Sequence, residues 1–180
     1  MRRIIVSNLM SLDGYFEGPN KELDWFVVDE EFFEYARQML RSVDAILFGR
    51  LTYQHMAAYW PTAPKDEIAD KMNNLPKIVC SKSLDKVEWN NSRLIKDNIP
   101  EEIAKLKQQP GKDMVIFGSA ELASHLLRLG LIDEYRVILN PVLIGRGNPL
   151  FQDIKEKIKL KLTGTKQFGS GVIVLYYQPA

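Results

Sequence analysis

The chain has 180 residues, and 24 lysines and arginines against 23 aspartates and glutamates give a formal net charge of +1. This balance excludes a broad basic surface for nucleic acid and an acidic tail. Hydrophobic residues make up 46% of the sequence, which is typical of a soluble protein with one domain over residues 1–180. The single cysteine excludes an internal disulfide, and no apolar run approaches the about 18 residues of a membrane span, so we expect a cytoplasmic protein.

Short apolar, β-branched runs alternate with helical patterns along the chain. The predicted strands include residues 4–6, 45–48, 78–80, 115–117, 137–139 and 172–176. This alternation predicts an α/β fold with a mainly parallel sheet and helices on both faces. Residues 158–162 alternate strictly and are joined to the last strand by Gly169-Ser170-Gly171 without a helix, so these two strands are predicted to form an antiparallel pair at the sheet edge.

A hydroxyl and an acid follow the first predicted strand. Ser11-Leu12-Asp13-Gly14 contains a strong Asp-Gly turn signal. Open α/β sheets bind ligands at the carboxyl ends of their strands, which favours a loop over a substrate site here. An acid in a closed pocket could donate a proton, but the pattern does not choose among Asp24, Asp29, Glu31 and Glu34. Asp29 is also the predicted cap of the first helix.

Two apolar strands run into a glycine and then directly into a helical pattern. The first turn is Gly49-Arg50-Leu51-Thr52, where Thr52 is the predicted helix cap, and the second is Gly118-Ser119-Ala120-Glu121, where Ser119 is the predicted cap. The N–H groups and the dipole of such a helix start favour phosphate, and an arginine adds a positive fork. We predict that the two turns hold two ends of one polyanionic cofactor. Neither matches G-x-G-x-x-G, so the site is not of the Rossmann type.

Few other residues indicate chemistry. Ser81 and Lys82 follow a strand and could hold a further phosphate. His55 and His125 are isolated from each other and from other metal-ligand residues, so we predict no metal site. No G-x-S-x-G motif is present, and Cys80 lies in an apolar strand where thiols are usually inert.

In this order, the motifs resemble the dihydrofolate reductase-like fold, and most closely the reductase domain at the C-terminus of the bifunctional riboflavin biosynthesis protein RibD. The pattern continues through residues 131–134 and 139–147 and covers nearly the whole chain. The resemblance implies a three-layer α/β/α fold, NADPH as cofactor, a small-molecule substrate and a homodimer. The implied activity is similar to that of 5-amino-6-(5-phosphoribosylamino)uracil reductase, with a heterocyclic or ribosylamino-pyrimidine substrate.

The resemblance also implies roles for particular residues. It implies that Gly49, Arg50 and Thr52 contact the cofactor phosphates. It implies that Gly118, Ser119 and Ala120 hold the pyrophosphate, and that Ser81 and Lys82 contact the 2′-phosphate. Glu121 adjoins the pyrophosphate turn, and we expect its carboxylate to face solvent. The Ser-Leu-Asp-Gly loop would cover the nicotinamide, so Ser11, Gly14, Trp25 and Asp29 are predicted to bind substrate. The candidate catalytic acids are Asp13 and Glu31, with Glu31 nearest to the position of the acid on the first helix of dihydrofolate reductase.

The chain departs from the family pattern at the pyrophosphate turn and at a segment that contacts the substrate. Many relatives have two glycines where this chain has Gly118-Ser119, and the riboflavin enzymes carry an Asp-Asp-Pro segment where residues 53–61 contain no acid. The cofactor site is therefore better supported than the riboflavin substrate. Dihydrofolate reductase itself, and a cofactor-binding protein without turnover, are the alternative hypotheses.

Overall fold

The computed structural model describes residues 1–152 and 154–180. Its strands are β1 (Ile4–Ser11), β2 (Tyr15–Glu17), β3 (Val43–Gly49), β4 (Lys77–Cys80), β5 (Ser92–Ile95), β6 (Asp113–Phe117), β7 (Glu134–Asn140), β8 (Asn148–Pro149), β9 (Leu160–Gln167) and β10 (Ile173–Pro179). Its α-helices are α1 (Glu30–Ser42), α2 (Arg50–Tyr59), α3 (Glu67–Asn74), α4 (Ile99–Gln108) and α5 (Ala120–Arg128). A short 3₁₀ helix, Trp60–Thr62, follows α2 directly.

The central sheet has eight strands in the order β5-β4-β3-β6-β1-β7-β10-β9. The strands from β5 to β7 pair in parallel, whereas β10 pairs antiparallel with both β7 and β9. The predicted mainly parallel sheet with an antiparallel pair at its end is therefore confirmed. Strand β5 was not predicted, because only Leu94 and Ile95 are apolar in this edge strand. The small β2–β8 pair was not predicted either.

Helices cover the sheet on two faces, which confirms the predicted three-layer arrangement. On one face α1, α2 and α3 contribute to a buried cluster with the sheet, which includes Met39, Leu40, Tyr53, Ile68, Ile46 and Phe48. On the other face α4 and α5 contribute to a second cluster, which includes Ile103, Leu106, Leu122, Leu126, Leu47 and Val6. Alternate residues of β1 enter the two clusters, as the two-residue period of a strand requires.

The predicted helix caps agree with the structure at Asp29 and differ from it at Thr52. Asp29 caps α1, since its side chain accepts a hydrogen bond from the Phe32 N–H at 2.8 Å. Gly130 has φ of +65° and ends α5, and Pro100 lies in the first turn of α4. The prediction for Thr52 is wrong: Gly49 is the N-cap of α2, because the helix begins directly at the last residue of β3.

The described ranges, residues 1–152 and 154–180, contain no candidate membrane span and no metal-ligand cluster. No helix there combines the length and the apolar character needed to cross a bilayer. Over the same ranges, no three histidine, cysteine, aspartate or glutamate side chains come together as metal ligands.

Candidate active site

A cleft of about 1410 Å³ lies at the carboxyl ends of the parallel strands. Every residue predicted to bind the cofactor lines it: Gly49, Arg50, Thr52, Ser81, Lys82, Gly118, Ser119, Ala120 and Glu121. The topology explains this convergence, because β4, β3 and β6 are neighbours in the sheet and end at the same edge. Contact of these residues with a cofactor stays a prediction.

The two glycine turns are hydrogen-bonded to each other. The Gly49 N–H donates to the Ser119 hydroxyl at 2.7 Å, and the Ser119 N–H donates to the Thr52 hydroxyl at 2.9 Å. Both hydroxyls therefore join the turns across the sheet, instead of capping their own helices as predicted. This pairing fixes the relative position of the starts of α2 and α5.

The backbone of the second turn adopts a left-handed conformation at two successive residues. Gly118 has φ of +65°, and Ser119 has φ of 52° and ψ of 54°. A Cβ atom on Gly118 would lie 3.0 Å from the Thr52 methyl group, so both the conformation and the close packing favour glycine there. The same left-handed conformation at Ser119 is one that glycine adopts without steric cost.

Three helices begin at the cleft without a side-chain cap. Among the described residues, no side chain caps α2 at Gly49, α4 at Asn98 or α5 at Ser119, and all three positions line the cleft. In contrast, α1 is capped by Asp29 and α3 by Asp66. The first N–H groups of a helix have no acceptor within the helix, so uncapped starts offer donors to an anion.

Cationic side chains accompany these helix starts. Arg50 is exposed, its nearest polar partner is the Gln54 side chain at 3.4 Å, and among the described residues it has no carboxylate partner. Lys82 is also exposed on the cleft. The exposed residues Glu101 and Glu121 also line the cleft. The arrangement suits a ligand that carries more than one phosphate.

Asn8 is a cleft residue that the sequence analysis missed. It is only 2% exposed, and its side-chain oxygen accepts a hydrogen bond from the Gly118 N–H at 2.8 Å. Its amide nitrogen has no partner among the described residues, although buried donors are normally bonded. The available signal was the polar Ser7-Asn8 pair inside an otherwise apolar strand.

The Ser-Leu-Asp-Gly loop does not line the cleft. The buried Ser11 hydroxyl donates to Asp13 at 2.6 Å, and Asp13 accepts from the Gly145 N–H at 2.8 Å. These contacts tie residues 11–14 to the segment after β7, and Gly14 has φ of +91° in the turn. The hydrogen bond from Ser11 holds the pKa of Asp13 below its ordinary value. This is the opposite of the raised pKa expected of a proton donor.

The structure also places Trp25, Asp29 and Glu31 outside the cleft lining. Trp25 packs edge-on against Phe26, and Asp29 serves as the cap of α1. Exposed Glu31 accepts a hydrogen bond from the Gly169 N–H at 2.6 Å, in the turn between β9 and β10. The first helix therefore does not direct the candidate acid into the cleft, because Glu31 lies on the side of α1 that meets this turn.

Aromatic and apolar side chains form the part of the cleft between α1, α2 and the 3₁₀ helix. This part, called the aromatic wall below, comprises Phe32, Phe33, Met56, Tyr59 and Trp60. Tyr35 lines the cleft beneath it, and burial raises the pKa of Tyr35 to about 12. Its hydroxyl therefore stays protonated at physiological pH.

Comparison with known proteins supports the resemblance. A sequence profile of the RibD C-terminal domain matches residues 2–174. The chain belongs to the RibD C-terminal domain family. The uncharacterized protein YyaP of Bacillus subtilis (strain 168) is 40% identical in an alignment 182 residues long, gaps included. The alignment covers 98% of this chain and 94% of YyaP.

Solved structures place this family member in the dihydrofolate reductase-like fold. A Shewanella sp. PV-4 protein, provisionally named a riboflavin biosynthesis protein, superimposes with a TM-score of 0.79 at 22% identity over 99% of each chain. Dihydrofolate reductase from Enterococcus faecalis, complexed with NADP(H) and RAB-propyl, gives a TM-score of 0.65 at 14% identity over 98% of this chain and 96% of that chain.

The segment that follows Gly49-Arg50-Leu51-Thr52 contributes to the aromatic wall. Its residues end α2 and form the 3₁₀ helix, and Met56, Tyr59 and Trp60 line the cleft. Residues 53–61 contain no acid, so this segment adds no carboxylate to the cleft.

Proposed function

We propose that the protein is an NADPH-dependent reductase that transfers a hydride to a small heterocyclic or ribosylamino-pyrimidine substrate. The observation that carries this proposal is the pair of interlocked strand–helix turns with Arg50 and Lys82 at one end of the cleft. Membership of the RibD C-terminal domain family supports a reductase-like function. The similar fold of a dihydrofolate reductase complexed with NADP(H) supports the cofactor.

The residues present suit a dinucleotide with several phosphates. The uncapped starts of α2 and α5 would hold the pyrophosphate, and Arg50, Ser81 and Lys82 would meet the 2′-phosphate. The unpartnered amide of Asn8 is a buried donor that a cofactor oxygen would satisfy. When bound, NADPH supplies the hydride.

The protein's own contribution is binding, orientation and exclusion of water. A substrate bound against the aromatic wall would displace water from that side of the cleft. Among the described residues, no carboxylate of α1 lines the cleft, whereas those of Glu17, Asp66, Glu101 and Glu121 do. We propose that the proton comes from a water molecule rather than from an acid of α1. The absence of such an acid disfavours dihydrofolate reductase, whose substrate site uses an acid on this helix.

Calorimetric titration with NADPH and NADH tests the cofactor assignment, because the two differ only by the 2′-phosphate. A charge-assisted hydrogen bond contributes about 1.5–3 kcal/mol, which corresponds to about tenfold to hundredfold in Kd. We expect NADPH to bind at least about tenfold more tightly. The variant Arg50→Ala should remove much of this preference, whereas Arg128→Ala, an exposed arginine at the far end of α5, should retain it.

Equal affinity for the two cofactors would refute the assigned 2′-phosphate contacts, and binding of neither would refute the cofactor site. Oxidation of NADPH, followed at 340 nm with candidate substrates, separates an enzyme from a cofactor-binding protein without turnover. Sustained NADPH binding with no oxidation by any ring substrate would favour the latter.

A further inference from the structure

The arginine and lysine side chains of the cleft are distributed unevenly along it. The cations Arg50 and Lys82 lie where β3 and β4 end, beside the uncapped starts of α2 and α5. The aromatic wall lies beyond them, along α1 and the end of α2. The cationic end is therefore suited to an anionic ligand such as the cofactor phosphates, and the aromatic wall is suited to an uncharged ligand.

The aromatic wall exposes large side chains to the cleft. Phe33 is 39% exposed and Tyr59 is 57% exposed, although both line a concave surface where apolar side chains are usually covered. Phe33 meets Phe32 edge-on with ring centroids 6.2 Å apart, and Tyr59 meets Trp60 edge-on at 5.0 Å. Exposed aromatic faces of this kind bind flat rings by stacking.

The basic residues of α1 are not available to a substrate. Arg37 is paired with Glu30 and Glu34, and Arg41 is paired with Glu67 of α3. Neither arginine lines the cleft. Lys21 lines it from the loop between β2 and α1, and Glu17 lines it from the end of β2.

We propose that the substrate of this protein is an uncharged, planar ring compound without a phosphate group, held against the aromatic wall. The proposal rests on the proposed reductase function and narrows its substrate class. A phosphate needs arginine, lysine or free helix N–H groups. The uncapped helix starts and two of the cleft's cations, Arg50 and Lys82, lie at the cofactor end, whereas Lys21 is the only lysine or arginine among the described cleft residues outside it. Placing a phosphate against the wall would instead remove its water without replacing it.

The chemistry of such a substrate balances with NADPH as reductant. A ring C=N or C=O bond accepts the hydride at carbon, and its nitrogen or oxygen takes one proton from water. The ring is reduced by two electrons and NADPH is oxidised to NADP⁺. No phosphate takes part in these steps, so an unphosphorylated substrate loses nothing in reactivity.

Binding to the protein saturated with NADP⁺ tests the substrate class independently of turnover. The probes are a panel of uncharged planar rings headed by lumazine and, as the charged alternative, 5-amino-6-(5-phosphoribosylamino)uracil. We expect at least one uncharged ring to bind at least about tenfold more tightly than the phosphorylated probe. Phe33→Ala and Tyr59→Ala should each weaken binding of the ring compound about tenfold, and neither should change the affinity for NADPH.

Phe151→Ala is the matched control, since Phe151 is 38% exposed and lies outside the cleft lining. It should leave the affinity for the ring unchanged. The inference is overturned if the phosphorylated probe binds as tightly as every ring, if no ring binds, or if both wall variants bind the ring like the wild type. Failure of NADPH to bind would instead refute the proposed function, so the two failures are distinguishable.

Discussion

The interlocked turns make a quantitative prediction about Ser119. Its hydroxyl accepts the Gly49 N–H at 2.7 Å, while its backbone has φ of 52°. The first feature favours serine, and the second favours glycine. Substituting alanine removes the hydroxyl and keeps the unfavourable backbone, whereas substituting glycine removes both. The pair Ser119→Ala and Ser119→Gly therefore separates the hydrogen bond from the backbone strain.

The magnitudes decide the order of the two variants. Ser119→Ala leaves the half-buried Gly49 N–H without its acceptor, which costs about 1–3 kcal/mol. A left-handed backbone costs a non-glycine residue about 1–2 kcal/mol, and glycine relieves this while adding about 0.4–1 kcal/mol of unfolded-chain entropy. We expect Ser119→Gly to be about 1 kcal/mol more stable than Ser119→Ala, or about 2–4 °C higher in Tm.

Urea unfolding without cofactor measures the difference. Ser124→Ala is the control on the same helix, because the Ser124 hydroxyl is buried without a partner among the described residues, and its removal should not destabilise the protein. An alanine variant as stable as the glycine variant would show that residue 119 is not strained. An alanine variant as stable as the wild type would show that the cross-turn hydrogen bond contributes nothing.

Two further predictions concern a buried lysine and the sheet edge. The Lys77 ammonium is 0% exposed and donates to three backbone carbonyls near the end of α3, each at 2.8 Å, and burial lowers its pKa to about 8. The unfolded chain therefore holds this proton more strongly, so the free energy of unfolding should rise between pH 8 and about 10 more in the wild type than in Lys77→Met. Parallel pH profiles in urea unfolding would contradict this. Leu160 and Leu162 of β9 are 39% and 49% exposed, and we expect a homodimer that covers such apolar surface. Sedimentation equilibrium should give twice the monomer mass, and a monomer at micromolar concentration would exclude it.

The cofactor end of the cleft could be predicted because its signals are local. An apolar strand, a glycine and a helical pattern lie within a few residues at Gly49 and again at Gly118. Parallel topology then brings the two turns to one sheet edge. The contacts between the turns were not predictable, because Gly49 and Ser119 are 70 residues apart in sequence.

The substrate end was predicted less well because its acids have distant partners. The Glu31 carboxylate is bonded to a residue 138 positions away, and Asp13 is bonded to Gly145 at a separation of 132. A local pattern shows that an acid is present, but not which backbone N–H will engage it. The aromatic wall was not predicted, because Phe33 on α1 and Met56 on α2 have the helical spacing of core residues. That spacing predicts burial in the core and does not distinguish it from a position in a cleft.

Helix capping separates a binding turn from an ordinary connection between strand and helix. Serine is among the best caps, yet capping requires an extended backbone, and Ser119 is left-handed, so its hydroxyl bonds Gly49 instead. The start of α5 consequently keeps its N–H donors, while Asp29 and Asp66 satisfy those of α1 and α3. Residue type alone predicted a side-chain cap at Ser119 as well as at Asp29. The backbone conformation imposed at Gly118 and Ser119 is therefore what leaves this turn open to an anion.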